Sequence, residues 1–172
     1  MGKNVVLILP AGRFDDNIYL KTRQILERYG HKVLAACSVK KPIFGLKGTT
    51  RVLVDCTLEE VKPEETSAII LVGGIGASEY KDSQPLFDLL QQANQLNVIL
   101  AAIANTPVFL AKAGVLKGKN ATVLYYDSKE LIAGGANYTS ASITVDGNIL
   151  TAKEAAMADT FALALVKMLK EE

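Results

Sequence analysis

The chain has 172 residues, enough for one domain spanning 1–172 with a sizeable core. Lys plus Arg number 19 and Asp plus Glu 18, a formal net charge of +1, and no basic stripe is interleaved with aromatics. That balance argues against nucleic acid or an anionic membrane as the main partner. The two cysteines, Cys37 and Cys56, form no CxxC pair, so neither a disulfide framework nor a zinc knuckle is expected. The first apolar run stops at Pro10, too short to span a membrane, and no small-residue cleavage site follows. A cytoplasmic protein is expected, with the sequons at Asn120 and Asn137 unused.

Residues 5–9 form a continuous apolar, β-branched run, as a strand of a parallel sheet covered on both faces requires. Residues 17–29 then show helical spacing through Ile18, Thr22, Ile25, Leu26 and Tyr29, with Gly30 as a stop. A second strand is predicted at 32–37. Residues 38–50, with Pro42, Gly45 and Gly48, read as a loop or short hairpin, 51–55 as a strand, and 58–60 as a helical turn. A buried strand at 68–72 closes on Gly73 and Gly74. Ser83 or Asp82 caps a helix with Pro85 in its first turn and Leu86, Leu89, Leu90 and Ala93 on one face. A further buried strand, 98–103, is followed by a helix from Pro107 to Gly114. Then come a strand at 122–124, a helix at 128–133, and a hairpin turning at Asp146 and Gly147 between arms 143–145 and 149–151. A closing helix, 153–169, presents Met157, Phe161, Leu165 and Met168 or Leu169. Strands alternating with helices predict an α/β domain, a doubly wound, mainly parallel sheet between helices, with a small late β-hairpin.

Ligands of such sheets sit at the carboxyl ends of the strands near the switch in strand order. Three loops are expected to meet there: 10–16, 73–78 and 104–107. In the third, a buried strand turns at once into the Pro107 helix. A residue at so sharp a turn is presented at the top of the sheet beside free N–H groups, where a nucleophile belongs. Position 104 carries alanine.

Residues 102–107, Ala-Ile-Ala-Asn-Thr-Pro, resemble the ThiJ/PfpI pattern Ala-Ile-Cys-His-Gly-Pro, and 110–119 are similar to the stretch that follows it. Phe14-Asp15-Asp16 resembles the family's Phe-Glu-Asp. Residues 70–74 resemble its apolar strand ending in Gly-Gly, and 145–151 its late hairpin. The resemblance runs in order over nearly the whole chain. It implies a flavodoxin-like, class I glutamine amidotransferase-like sandwich and a homodimer or higher oligomer. Family activities include peptidase, glyoxalase, deglycase, chaperone and redox-sensing roles. The shared chemistry needs an elbow thiolate, a neighbouring histidine, an acid from the first loop and backbone oxyanion donors. Here the nucleophile position is Ala104, the histidine position Asn105, the glycine position Thr106 and the acidic position Asp15, while Gly74 retains the oxyanion donor, with the N–H of Asn105 beside it. The family's Ser-Arg-Gly-Pro-like turn reads Ala-Lys-Glu-Ala at 152–155.

Two function classes follow from this degenerate site. One is a family member without cysteine-hydrolase, glyoxalase or deglycase activity, whose pocket is vestigial or binds a small molecule, with a ligand-binding or stress-related role. The other is a thiol-independent lyase or hydrolase using Asp15 as base and Gly74 as donor. A third reading is a redox sensor through Cys56. No cofactor or metal is expected, since Gly73-Gly74-Ile75-Gly76 lacks the dinucleotide spacing and His31 is the only histidine. Cys37 reads as a small buried hydrophobe. Asp15 fits a helix N-cap as well as a pocket acid, Thr106 fits an N-cap for the Pro107 helix, and Tyr125 and Tyr126 either line the mouth or pack.

Overall fold

The computed structural model describes residues 2–171. The strands are β1 (Asn4–Ile8), β2 (Val33–Cys37), β3 (Ile43–Phe44), β4 (Arg51–Val52), β5 (Cys56–Thr57), β6 (Thr66–Leu71), β7 (Ile99–Ile103), β8 (Asn120–Ala121), β9 (Asn137–Tyr138), β10 (Ile143–Asp146) and β11 (Ile149–Ala152). The helices are α1 (Asp16–Arg28), α2 (Gln84–Gln95), α3 (Pro107–Lys112), α4 (Ser128–Ala133) and α5 (Ala158–Lys170), joined in places by short 3₁₀ segments, the longest over Ile75–Tyr80. A seven-stranded sheet runs β10-β11-β7-β6-β1-β2-β5. Its pairings are parallel except β10 with β11. This is the doubly wound α/β sandwich with a late hairpin that the sequence predicts. The chain steps from β1 to β2 on one side and to β6 and β7 on the other, so the switch point lies between β1 and β6.

The apolar runs sort themselves by strand alternation. Val5 and Leu7 of β1, with Leu9 just after it, face Ile18, Leu26, Phe161 and Leu165 of α1 and α5. Val6 and Ile8 face the other way, toward the layer that holds Leu86, Leu90, Leu110 and Leu131 of α2, α3 and α4. Each layer buries an alternate set of the same strands, so an unbroken apolar run is what the position demands. No helix among the described residues is long and apolar enough to cross a membrane.

Three predicted elements shift. The strand expected at 51–55 ends at Val52, because Asp55 turns onto β2, where its N–H donates to Ala35 O at 2.9 Å and its Oδ2 accepts Ala35 N–H at 2.7 Å. None of the residues expected as a strand at 122–124 is in one; the strand lies just before them, at Asn120–Ala121. There Thr122 N–H donates to the Thr151 hydroxyl at 2.9 Å, a side-chain bond that ends the ladder. The closing helix begins at Ala158, five residues late, since β11 runs through Ala152 and Lys153 N–H still donates to Ser142 O at 2.9 Å. Glu154 is fully extended (φ −155°, ψ 161°), and a 3₁₀ turn over Ala155–Met157 intervenes.

Candidate functional site

The three predicted loops do meet at the carboxyl ends of β1, β6 and β7. The first and second are joined by backbone: Asp15 N–H donates to Gly73 O at 2.9 Å and Gly76 N–H to Arg13 O at 3.2 Å. Gly76 must be glycine, since a Cβ there would strike the Gly12 carbonyl. Tyr80, which sequence reasoning passed over, fixes the floor of the first loop. Its hydroxyl donates to Leu9 O at 2.6 Å and accepts Ser38 N–H at 3.1 Å. Burial, reinforced by neighbouring Cys37 and Glu79, pushes this phenol well above its ordinary value, so it stays a proton donor.

At the end of β7 the chain turns abruptly. Ala104 is left-handed (φ 63°), a conformation that costs an L-residue about 1–2 kcal/mol. Its N–H donates to Ala152 O at 3.0 Å and its carbonyl accepts Leu124 N–H at 3.3 Å, so two neighbouring segments hold the turn from either side. The methyl group is half-buried at the mouth. The elbow geometry is therefore present at position 104. Ala104→Gly removes the Cβ penalty and should raise stability by about 1 kcal/mol, or roughly 2–4 °C in the unfolding midpoint. Thermal melts of the two proteins check this, and an unchanged midpoint would mean that the turn stores no strain.

Asn105 comes next, also half-buried. Its side-chain Oδ1 accepts Gly74 N–H at 3.3 Å while its Nδ2 donates to Gly74 O at 3.0 Å. The Gly74 N–H, expected to face a ligand, is thus engaged by the Asn105 side chain. Thr106 is buried and stands at the N-cap position of α3, but it makes no capping bond, contrary to expectation. Its hydroxyl accepts Ile103 N–H at 3.0 Å and faces the carbonyls of Ile103 (2.8 Å) and Leu71 (3.0 Å). It ties the ends of β6 and β7 together, work a glycine there could not do.

Asp15 is the N-cap of α1, its Oδ1 accepting Ile18 N–H at 2.8 Å. The more deeply buried acid is its neighbour Asp16, at 5% exposure, whose Oδ2 accepts Lys47 N–H at 3.1 Å. Burial raises its pKa, but the Thr50 hydroxyl, the backbone N–H groups of Lys47 and Asp16 and the Lys47 charge outweigh that and hold it below the usual carboxylate range. Asp16 clamps the β3–β4 hairpin to the first loop, where Arg13 N–H donates to Phe44 O at 2.8 Å and Leu46 N–H to Phe14 O at 2.9 Å. The sequence signal was a pair of acids at a helix start, of which only one can cap.

Tyr125 and Tyr126 are 69% and 91% exposed, which removes the packing role and leaves them on the surface next to Leu124, the elbow's partner. Their rings meet edge-on at 5.9 Å. The other singled-out residues lie apart from the elbow. His31 follows α1 at the amino end of β2, the opposite end of the sheet. Cys37 is fully buried. Cys56 lies on the edge strand β5, facing a cavity of about 110 Å³ with Glu60 and Lys62. Burial, with Asp55 and Glu60 adding to it, raises the Cys56 thiol pKa and disfavours the thiolate.

Residues 3–168 match the DJ-1/PfpI family. The chain belongs to the DJ-1/PfpI family. It is 34% identical over 170 residues to an uncharacterized protein of Methanocaldococcus jannaschii, covering 97% of this chain and 82% of that one. A Pyrococcus abyssi protein named a deglycase is 30% identical over 165 residues, covering 96% of this chain and 99% of that one. A ThiJ/PfpI domain protein from Brachyspira murdochii has the same fold at a TM-score of 0.95 and 29% identity, with 99% of each chain covered. The flavodoxin-like DJ-1/PfpI sandwich expected from the motifs is therefore the fold of this chain, and the elbow at residue 104 lies in the part matched to the family.

Proposed function

We propose that this protein is a DJ-1/PfpI-family member that works without the family's thiol chemistry and binds a small molecule at the mouth of its three loops. The observation that carries this reading is Ala104 on the left-handed turn between β7 and α3: the elbow is kept, with a methyl group where an attacking atom would sit. A thiolate and its activating histidine supply orders of magnitude in rate, and residues 104 and 105 offer neither. The deglycase name of the Pyrococcus relative is for this reason not carried over. The test is turnover of methylglyoxal by purified protein. The expected rate is that of buffer alone; turnover that disappears in Asp15→Ala would overturn the reading.

The thiol-independent enzyme is the less favoured alternative. Its base, Asp15, is engaged in capping α1, and its donor, Gly74 N–H, is engaged by Asn105. Redox sensing at Cys56 is disfavoured by the raised thiol pKa. Self-association belongs to the proposal, supported by exposed Phe44, Leu46 and Leu53 on and beside the β3–β4 hairpin. A monomer mass by light scattering at micromolar concentration would remove it.

A further inference from the structure

The return from β5, at the edge of the sheet, to β6 passes β2 and β1 and carries only two 3₁₀ turns, Leu58–Glu60 and Pro63–Glu65. A parallel crossover is usually a helix, which would cover more of the sheet. The residues left beneath follow from the register. Val6 pairs with Leu34 and Ala36 with Cys56, so Val6, Leu34 and Cys56 share one face of the sheet. Val6 is 2% exposed, yet its partner Leu34 is only half-buried. The gap is a notch of about 110 Å³, walled by Val6, Leu34, Cys56 and Val61, with exposed Glu60 and Lys62 at its rim. A wider cavity of about 810 Å³ opens at the amino ends of β1 and β2, walled by Lys3, His31, Lys32 and Glu64. Asn4 and Glu65 line both, so the two adjoin.

The charges around these cavities do not cancel evenly. Glu60 is paired with Lys40 at 3.4 Å and Glu65 with Lys62 at 3.1 Å. Among the described residues no ion pair holds Lys3, Lys32 or Glu64. Two ammonium groups therefore stand against one carboxylate, and the His31 imidazole beside them offers an N–H donor. We infer that the two cavities form one binding site, at the end of the sheet opposite the elbow, for a small carboxylate with a short apolar tail. The carboxylate lies among Lys3, His31 and Lys32, and the tail enters the notch. At about 30 Å³ for a group the size of a water molecule, the notch admits about three or four carbons. The walls set the specificity. A cation is repelled by the lysines, and an anion without a tail forgoes the notch, where each buried methylene is worth about fourfold in affinity.

The test titrates methyl-labelled protein with pentanoate, acetate or pentylammonium and follows the Leu34 and Val61 methyl resonances. Pentanoate should move both saturably and bind about tenfold or more tightly than acetate, while pentylammonium moves neither. In the double variant Lys3→Gln, Lys32→Gln, both on the surface, pentanoate affinity should fall about threefold to tenfold. Leu34→Phe fills the notch and should abolish the Val61 response; Cys56→Met fills it from the edge strand if the phenylalanine protein does not fold. Still methyl resonances under pentanoate overturn the site, and a Val61 response that survives the filled notch overturns the place of the tail. Equal binding of acetate overturns the need for a tail, and equal binding of pentylammonium the anion assignment. An unchanged affinity in the double variant overturns the role of Lys3 and Lys32. The thiol-free reading of the elbow stands or falls separately, on methylglyoxal turnover.

Discussion

Gly74→Ala is expected to lower the unfolding midpoint by about 10 °C. Two costs add. The conformation at φ 135° and ψ 170° is strained for any residue with a Cβ, by about 1–3 kcal/mol. That Cβ would also lie 2.6 Å from Asp15 N, 2.8 Å from Arg13 O and 2.9 Å from Phe14 C. All three are backbone atoms of the first loop, held where Asp15 N–H meets Gly73 O, and they cannot rotate aside. A total of about 3–4 kcal/mol, at roughly 2–4 °C per kcal/mol for a chain of this size, gives the stated shift. Gly114→Ala is the control. Gly114 also has a positive φ (80°), but a Cβ there meets nothing within 4 Å, so only the conformational cost of about 1 kcal/mol remains. Calorimetry of both variants decides between them: equal losses would show that the contact with the first loop carries no energy.

The second large effect is at Asp16. Asp16→Asn should cost about 2 kcal/mol at neutral pH, because an amide turned toward Lys47 N–H either sets donor against donor or gives up the charge that strengthens the bond. Gly45 packs against this carboxylate so tightly that a Cβ would collide with it, which leaves no room for water to repair the loss. The pH dependence has a definite sign. The carboxyl pKa is depressed in the folded state, so its contribution is fully present above the unfolded value near 4 and is lost as pH falls through the folded value. The stability gap between wild type and Asp16→Asn should stay constant from pH 7 to about 5 and narrow at more acidic pH. Urea unfolding across that range measures it. A gap that persists undiminished at pH 2 would mean that Asp16 contributes by shape alone.

Where the chain commits locally, the sequence sufficed. Continuous apolar runs such as residues 98–103 can be satisfied only by burial on both faces, which already implies a covered parallel sheet. Ser83 before Pro85 marks a helix start through short-range bonds alone, and its side chain accepts Leu86 N–H at 3.3 Å. The elbow at Ala104 was equally legible, because a buried strand running straight into Pro107 leaves the intervening residues no room for a gradual turn. Those signals are local: one strand, one turn, one cap.

Partners distant in sequence were not legible. Residue 105 read as a missing histidine; only the folded chain brings its carboxamide to Gly74, 31 residues away, and turns the loss into a contact. Thr106 read as a cap, yet its hydroxyl has carbonyls of two adjacent strands within reach, an alternative set by the packing of β6 against β7. Of the two acids at 15 and 16 the sequence singled out the first, and tertiary structure assigned the burial to the second, because Gly45 and Lys47 arrive there from another segment. What the sequence by itself determined was the layered α/β frame and an alanine at its sharp elbow turn after β7, since both depend on residue type and local periodicity. How that elbow is now filled was decided by the tertiary structure, because hydrogen bonds between loops depend on where strands β6 and β7 end in space, and no spacing along the chain records that.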